Sequence, residues 1–306
     1  MSADAHASAR LPTFVVIGAA RSGTTALYTY LRQHPQVFMT DPKEPNFFAF
    51  AGEAMDFQGP GAEFVNNSVT TLPAYQRLFA AAPPGHARGE ASPLYLWSPH
   101  AAARLRSLVP NVRLIAILRN PVEQAYSHFL YARKEMIEPE RDFGVALDAA
   151  ASRRVAHWQP LFQYATFARY GEQLQRFLAH FPRDQLRVFL YDDFLADPLR
   201  LVQDIFAFIG VRDDFAPDLR ARLNSGGVPR RERLQRLVMR PSAATAVAGM
   251  LLPRQARRWL RERIAGANLA HPPMPAHARA RLRDELMDDI ERLQAIIGRD
   301  LSAWRA

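Results

Sequence analysis

The sequence predicts an α/β fold: a P-loop-like parallel sheet flanked by helices on both faces, with a helical C-terminal extension. Three observations predict it. Short apolar runs alternate with segments of helical apolar spacing. The runs are apolar on both sides, so each face of the sheet needs a covering layer. The first run ends in a glycine-bearing loop that opens a helix, the place where a parallel fold binds anions. With 306 residues, 48% of them hydrophobic, the chain can bury a substantial core. We expect a flexible tail over residues 1–12 and one domain over 13–306, helical from about residue 230.

Each element has its own signal. Residues 13–18, Thr13-Phe14-Val15-Val16-Ile17-Gly18, form a β-branched run closed by glycine and read as a buried strand. A helix follows over 26–33, then a short second strand, Val37-Phe38-Met39. The stretch 52–71 is glycine-bearing and weakly periodic, an irregular loop near the site. Later strands fall at 87–90, 112–118 and 186–190, with helices at 99–108, 122–133, 162–181 and 199–209. Beyond residue 230 the reading is helical, interrupted at Pro241, Pro253 and Pro272-Pro273. Leu282, Leu286, Ile290, Leu293 and Ile297 keep helical spacing and define a terminal helix over 275–298.

Composition narrows the chemistry. Lys and Arg number 39 against 30 Asp and Glu, a net charge of +9 that suits an anionic ligand. Lys43 and Lys134 are the only lysines, so the positive charge is arginine, whose planar fork grips oxyanions. There is no cysteine, which excludes disulfides, thiolate nucleophiles and cysteine-ligated metals. The first twelve residues lack the apolar run of a secretory signal, and no run of about 18 apolar residues exists. We expect a cytoplasmic protein with no transmembrane segment. The basic stretch 234–264 reads either as a surface helix touching anionic lipid or polymer or, preferably, as a solvated face.

The loop Gly18-Ala19-Ala20-Arg21-Ser22-Gly23-Thr24-Thr25 lies between strand and helix, where main-chain N–H groups and the helix dipole attract phosphate. Thr24 stands where a nucleoside triphosphatase loop places lysine, so ATP chemistry is disfavoured. Arg21 instead reaches the anion from within the loop. A second apolar strand ends in Arg119-Asn120-Pro121, and Ser127 follows in the next helix, so Arg119 and Ser127 converge on one phosphate. Later, Asn224-Ser225-Gly226-Gly227-Val228-Pro229-Arg230-Arg231 combines flexible glycines with charge.

Arg21-Ser22-Gly23-Thr24-Thr25 resembles the phosphosulfate loop of the sulfotransferase superfamily, written Lys/Arg-x-Gly-Thr-Thr. The strand-Arg-x-Pro pattern with a serine eight positions on, Arg119 and Ser127, resembles that family's 3′-phosphate motif. The stretch carrying Gly226, Gly227 and Arg230 resembles the loop that closes over the same nucleotide. Asp41-Pro42-Lys43-Glu44-Pro45-Asn46-Phe47-Phe48 is similar to a segment of heparan O-sulfotransferases whose glutamate is the general base, with Asn46 replacing a histidine. Glu90-Ala91-Ser92-Pro93-Leu94-Tyr95 is similar to Glu-Lys-Ser/Thr-Pro-x-Tyr, with Ala91 replacing the lysine.

The resemblance, which runs on to Trp304, implies a sulfotransferase domain using 3′-phosphoadenosine 5′-phosphosulfate as co-substrate without metal. It assigns Glu44 as base and Arg21 as a clamp on the leaving phosphate and moving sulfuryl, since guanidinium hardly gives up a proton. Arg21, Ser22, Gly23, Thr24, Thr25, Arg119, Ser127, Gly226, Gly227 and Arg230 would bind the donor. The acceptor is a hydroxyl or amine, preferably of a saccharide, and nucleic acid is not expected as a partner. A P-loop kinase of nucleotides or small molecules is the competing enzyme, a non-catalytic polyanion-binding module the competing binder. His34 and His128 are the rival bases, neither preferred.

Overall fold

The computed structural model of the chain describes residues 10–220, 227–232, 235 and 267–305. Most of the expected tail, Gly226 and the basic stretch 234–264 except Gln235 lie outside the described residues. In chain order the principal elements are β1 (Phe14–Gly18), α1 (Thr24–Leu31), β2 (Val37–Met39), β3 (Ala87–Ala91), α2 (Ala101–Leu108) and β4 (Arg113–Leu118). They continue as α3 (Pro121–Lys134), α4 (Tyr170–Leu178), β5 (Leu186–Leu190), α5 (Pro198–Ile209), β6 (Val228–Pro229), β7 (Leu269–Ala270) and α6 (Ala276–Ile297).

β1 to β5 form one sheet in the order β2-β3-β1-β4-β5, every neighbouring pair parallel. Alternate side chains of the central strands enter opposite cores, as the two-residue period of a strand requires. Val15, Ile17, Leu114, Ala116 and Leu118 pack under α2, α3, α4 and α6. Phe14, Val16, Ile115 and Ile117 pack under α1 and α5. All nine are fully or almost fully buried, each aliphatic or aromatic side chain larger than alanine contributing about 1.5–3 kcal/mol. The two-sided cover expected from the apolar runs is present.

The chain builds β2 and β3 on one side of β1 and β4 and β5 on the other. A parallel sheet wound this way opens a crevice at the carboxyl ends where the direction reverses, here outside β1 and β4. Gly18 and Leu118, the last residues of those strands, feed the two candidate phosphate loops.

Local sequence explains where the helices start and stop. The Asn120 carboxamide oxygen accepts from Val122 N at 3.0 Å and Glu123 N at 3.3 Å, and Pro121 opens α3. Asp197 caps α5 through Arg200 N, and Gly210 ends it at φ +80°. Gly298 ends α6 at φ +66°.

Two expectations need correction. The single helix expected at 162–181 is broken into Pro160–Phe162, Tyr164–Phe167 and α4. Asp289 on α6 causes the restart, because its carboxylate accepts from Gly171 N and Glu172 N at 2.8 Å each. The region after 230 is not helical throughout either. Val228 pairs with Ala270 and Pro229 with Leu269 as an antiparallel ladder, held next to it by Arg230 N to Asn268 O at 2.7 Å. The terminal helix matches: Leu282, Leu286, Ile290 and Leu293 are buried against the core. Among the described residues no helix is long and apolar enough to cross a membrane.

Candidate active site

β1 ends at Gly18, and the loop to α1 turns on two left-handed residues, Arg21 at φ +64° and Gly23 at φ +91°. A Cβ on Gly23 would lie 3.0 Å from the Phe194 ring, so both backbone and space call for glycine. The loop is pinned by Ala19 N to Ile117 O at 2.8 Å and by the Gln124 amide to Ala20 O at 3.1 Å. α1 starts without a side-chain cap and without an acidic residue in its first turn. Its leading N–H groups and dipole therefore face the crevice, in the arrangement that binds an anion.

Arg119 follows β4 directly, and Ser127 lies two turns into α3. The cleft between the loops has a volume of about 630 Å³ and is lined by Arg21, Gly23, Thr24, Thr25, Arg119 and Ser127. The two arginines expected at opposite ends of one ligand thus share one cleft. They also feel each other. Burial lowers the proton affinity of the Arg21 guanidinium first, Tyr131 opposes this, and the Arg119 charge lowers it further. Two cations converging in a partly dry cleft are unfavourable alone, and an anion between them removes the penalty. Each lies against an aromatic face, Arg21 at 4.5 Å from the Tyr131 ring centre and Arg119 at 5.2 Å from that of Tyr191.

Other expected residues lie elsewhere. The Ser22 side chain is fully buried and stands toward the Tyr170 hydroxyl without meeting hydrogen-bond geometry. Gly227 packs beneath Leu269 and His271, where a Cβ would lie 3.0 Å from the Leu269 side chain and 3.4 Å from the His271 ring. Arg230 borders a neighbouring cleft, separated from the first by shared walls Tyr126, Pro272 and Pro273. The Tyr126 hydroxyl fastens that partition, donating toward the carbonyls of Pro272 at 3.1 Å and Pro273 at 3.2 Å.

Glu44 follows β2 with φ +62°, and Asn46 has φ +55°. The Glu44 side chain is 45% exposed and contacts Lys43. Its charge reaches both Arg21 and Tyr131, which puts the carboxylate on the Arg21 side of the site. His128 is buried between Tyr164 and Phe167, and burial, then Arg21, pushes its pKa down to about 3. His34 sits at the other end of α1, bonded to Arg212 O. Neither rival base is placed for proton transfer.

Some lining residues carry weaker sequence signals. Once Ser127 is placed, helical spacing puts Glu123 and Leu130 on the same face, so they were accessible to sequence reasoning. Arg279 was not: it lies on α6, reaches the cleft across the fold, and pairs with Glu123 at 2.6 Å.

Beneath Glu44 lies Glu90, fully buried at the end of β3 and lifted by desolvation to about 7, its hydroxyl donors opposing. Its unfolded value is 4.5. The native state therefore holds this proton more tightly, and the stability it contributes is lost as pH rises through about 7. Thermal unfolding should accordingly show Glu90→Gln gaining on the wild type between pH 5 and about 8. A pH-independent difference would contradict the assignment.

A crevice at a parallel-sheet switch point, an uncapped helix start and two converging arginines define an α/β protein with an anion-binding cleft. Residues 12–215 match the profile of the Sulfotransferase family. The crystal structure of a sulfotransferase from Alicyclobacillus acidocaldarius superimposes with a TM-score of 0.76 at 31% identity, covering 97% of this chain and 99% of that one. The chain belongs to the sulfotransferase family. The chain is also 29% identical over 212 residues to bifunctional heparan sulfate N-deacetylase/N-sulfotransferase 4 of Mus musculus. It is 28% identical over 208 residues to the corresponding enzyme 3 of Homo sapiens. Each match covers 66% of this chain but only 22% of the relative, so the chain spans about a fifth of their length.

Proposed function

We propose that this chain transfers a sulfuryl group from 3′-phosphoadenosine 5′-phosphosulfate to a saccharide hydroxyl or amine, with the donor lying across the cleft between the Arg21 and Arg119 loops. One observation carries the reading: Arg21, Thr24 and Thr25 line the same cleft as Arg119 and Ser127. A nucleotide with anionic groups at both ends answers that charge distribution, and ATP lacks the second group.

In this reading the Gly23–Thr25 N–H groups and Arg21 hold the 5′-phosphosulfate in line and stabilise charge gathering on the leaving phosphate. Arg119 and Ser127 take the 3′-phosphate, and that remote binding energy places the sulfur. Arg279 adds a third cation to the same cleft, paired with Glu123. Arg230 borders only the adjoining cleft and becomes an outer contact, with Gly227 shaping the strap beside it. Glu44, exposed at the Arg21 side, takes the acceptor proton as attack proceeds. The saccharide acceptor is supported by the heparan sulfate relatives and by the Lys43-Glu44-Pro45 segment. We extend the proposal to a cytoplasmic enzyme, which fractionation of cells expressing the full chain tests.

The chain should transfer label from radioactive donor to an oligosaccharide carrying unsubstituted glucosamine, releasing 3′-phosphoadenosine 5′-phosphate stoichiometrically. Labelling of a simple phenol, with none of the oligosaccharide, would contradict the acceptor class.

A further inference from the structure

Glu90 is fully buried yet accepts from three hydroxyls. Oε1 takes Tyr75 at 2.7 Å and Tyr95 at 2.6 Å, and Oε2 takes Ser92 at 2.6 Å. The same Ser92 oxygen accepts the main-chain N–H of Asn46 at 3.2 Å. Asn46 and Glu44 are two of five non-glycine residues with positive φ among those described, so the Glu44 turn is a strained one. Such a conformation persists only where its surroundings fix it. Here the fixing groups are the Ser92 hydroxyl, the Ser68 hydroxyl bonded to the Asn46 amide at 3.1 Å, and the Phe47 ring stacked on Tyr75 at 4.5 Å.

We infer that Glu90 is a positioning residue for Glu44: it orients the Ser92 hydroxyl, which holds the Asn46 main chain and so aims the Glu44 carboxylate at the acceptor. The inference rests on Glu44 being the base. Its chemistry is a question of one proton. Ser92 has a single hydroxyl hydrogen, and while the Glu90 carboxylate takes it, the serine lone pairs stay turned to Asn46 N–H. An amide at position 90 keeps its oxygen for the tyrosines and presents NH₂ to Ser92. The serine hydrogen then loses its acceptor, and its lone pairs are shared between two donors. The groups facing Glu90 are Tyr75, Tyr95, Ser92 and, through its charge, Glu44. The raised pKa of about 7 adds that the relay forms as the carboxyl loses its proton in that range.

The test combines four single variants and one double variant of the full chain, with 3′-phosphoadenosine 5′-phosphate affinity measured beside turnover. Glu90→Gln and Ser92→Ala should each lower kcat about 10- to 100-fold through misplacement of the base, with nucleotide Kd within about twofold. Amide exchange at Asn46 should accelerate in both. Tyr95→Phe, which removes a donor to Glu90 outside the relay, should lose less turnover and leave Asn46 exchange slow. In the Glu44→Gln background, Glu90→Gln should add no further loss, because it acts through the missing group. Wild-type turnover in Glu90→Gln, or equal losses in Tyr95→Phe and Ser92→Ala, would overturn the inference. Additive losses in the double variant would remove the inference alone, whereas full turnover in Glu44→Gln would remove the base reading and the inference with it.

Discussion

Replacing Arg119 by alanine is expected to weaken 3′-phosphoadenosine 5′-phosphate about 10- to 100-fold, the cost of a charge-assisted contact to phosphate. Adenosine 5′-phosphate, which lacks the group Arg119 would meet, should lose at most about twofold. The ratio of the two affinities is therefore more informative than either value. It separates a 3′-phosphate contact from general electrostatic attraction, which a chain of net charge +9 would exert on any nucleotide. An unchanged ratio, measured by calorimetry at fixed ionic strength, would show that Arg119 does not read the 3′-phosphate.

Glu44→Gln should lower kcat by about 10²- to 10⁴-fold, the usual contribution of a positioned general base. Nucleotide affinity should stay nearly constant, since the residues lining the donor cleft do not include Glu44. The glutamine keeps the size of the side chain and loses only the basic oxygen. Lys43, which contacts Glu44, is the internal control. If the pair were merely a surface ion bridge, breaking it would cost little stability and no turnover. Turnover equal to the wild type, with glucosamine oligosaccharide as acceptor, would end the assignment.

The legible parts of this fold are those whose cause is local. Short apolar runs mark β1, β4 and β5, and Arg119-Asn120-Pro121 announces the cap and first turn of α3, as observed. The heptad-like spacing from Leu282 to Ile297 gives α6 within a residue at each end. The loop from Gly18 to Thr25 is readable because glycine, arginine and threonine each answer a backbone or charge requirement there. What escaped has causes distant in sequence. The restart of α4 depends on Asp289, 118 residues away. The β6 and β7 ladder joins segments about forty residues apart with two pairs, too short to imprint a period. Arg279 enters the cleft because α6 packs across α3 and α4, which no local pattern reports. The motif position of Ser22 implies a donor contact, but its side chain is fully buried, which leaves only its main chain for the donor. The Glu90 cluster was half visible: the Glu-x-Ser-Pro-x-Tyr spacing was plain, but burial of the carboxylate with three hydroxyl donors emerges only when β3 and the Tyr75 helix meet.

The central claim is that a single adenosine nucleotide spans the loops of Arg21 and Arg119. A crystal structure of the full chain with 3′-phosphoadenosine 5′-phosphate tests it most directly. The account predicts the 5′-phosphate against the main-chain N–H groups of Gly23 to Thr25 and the 3′-phosphate against Arg119 and Ser127. A nucleotide that engages only one of these loops, or that sits in the adjoining Arg230 cleft, would contradict it.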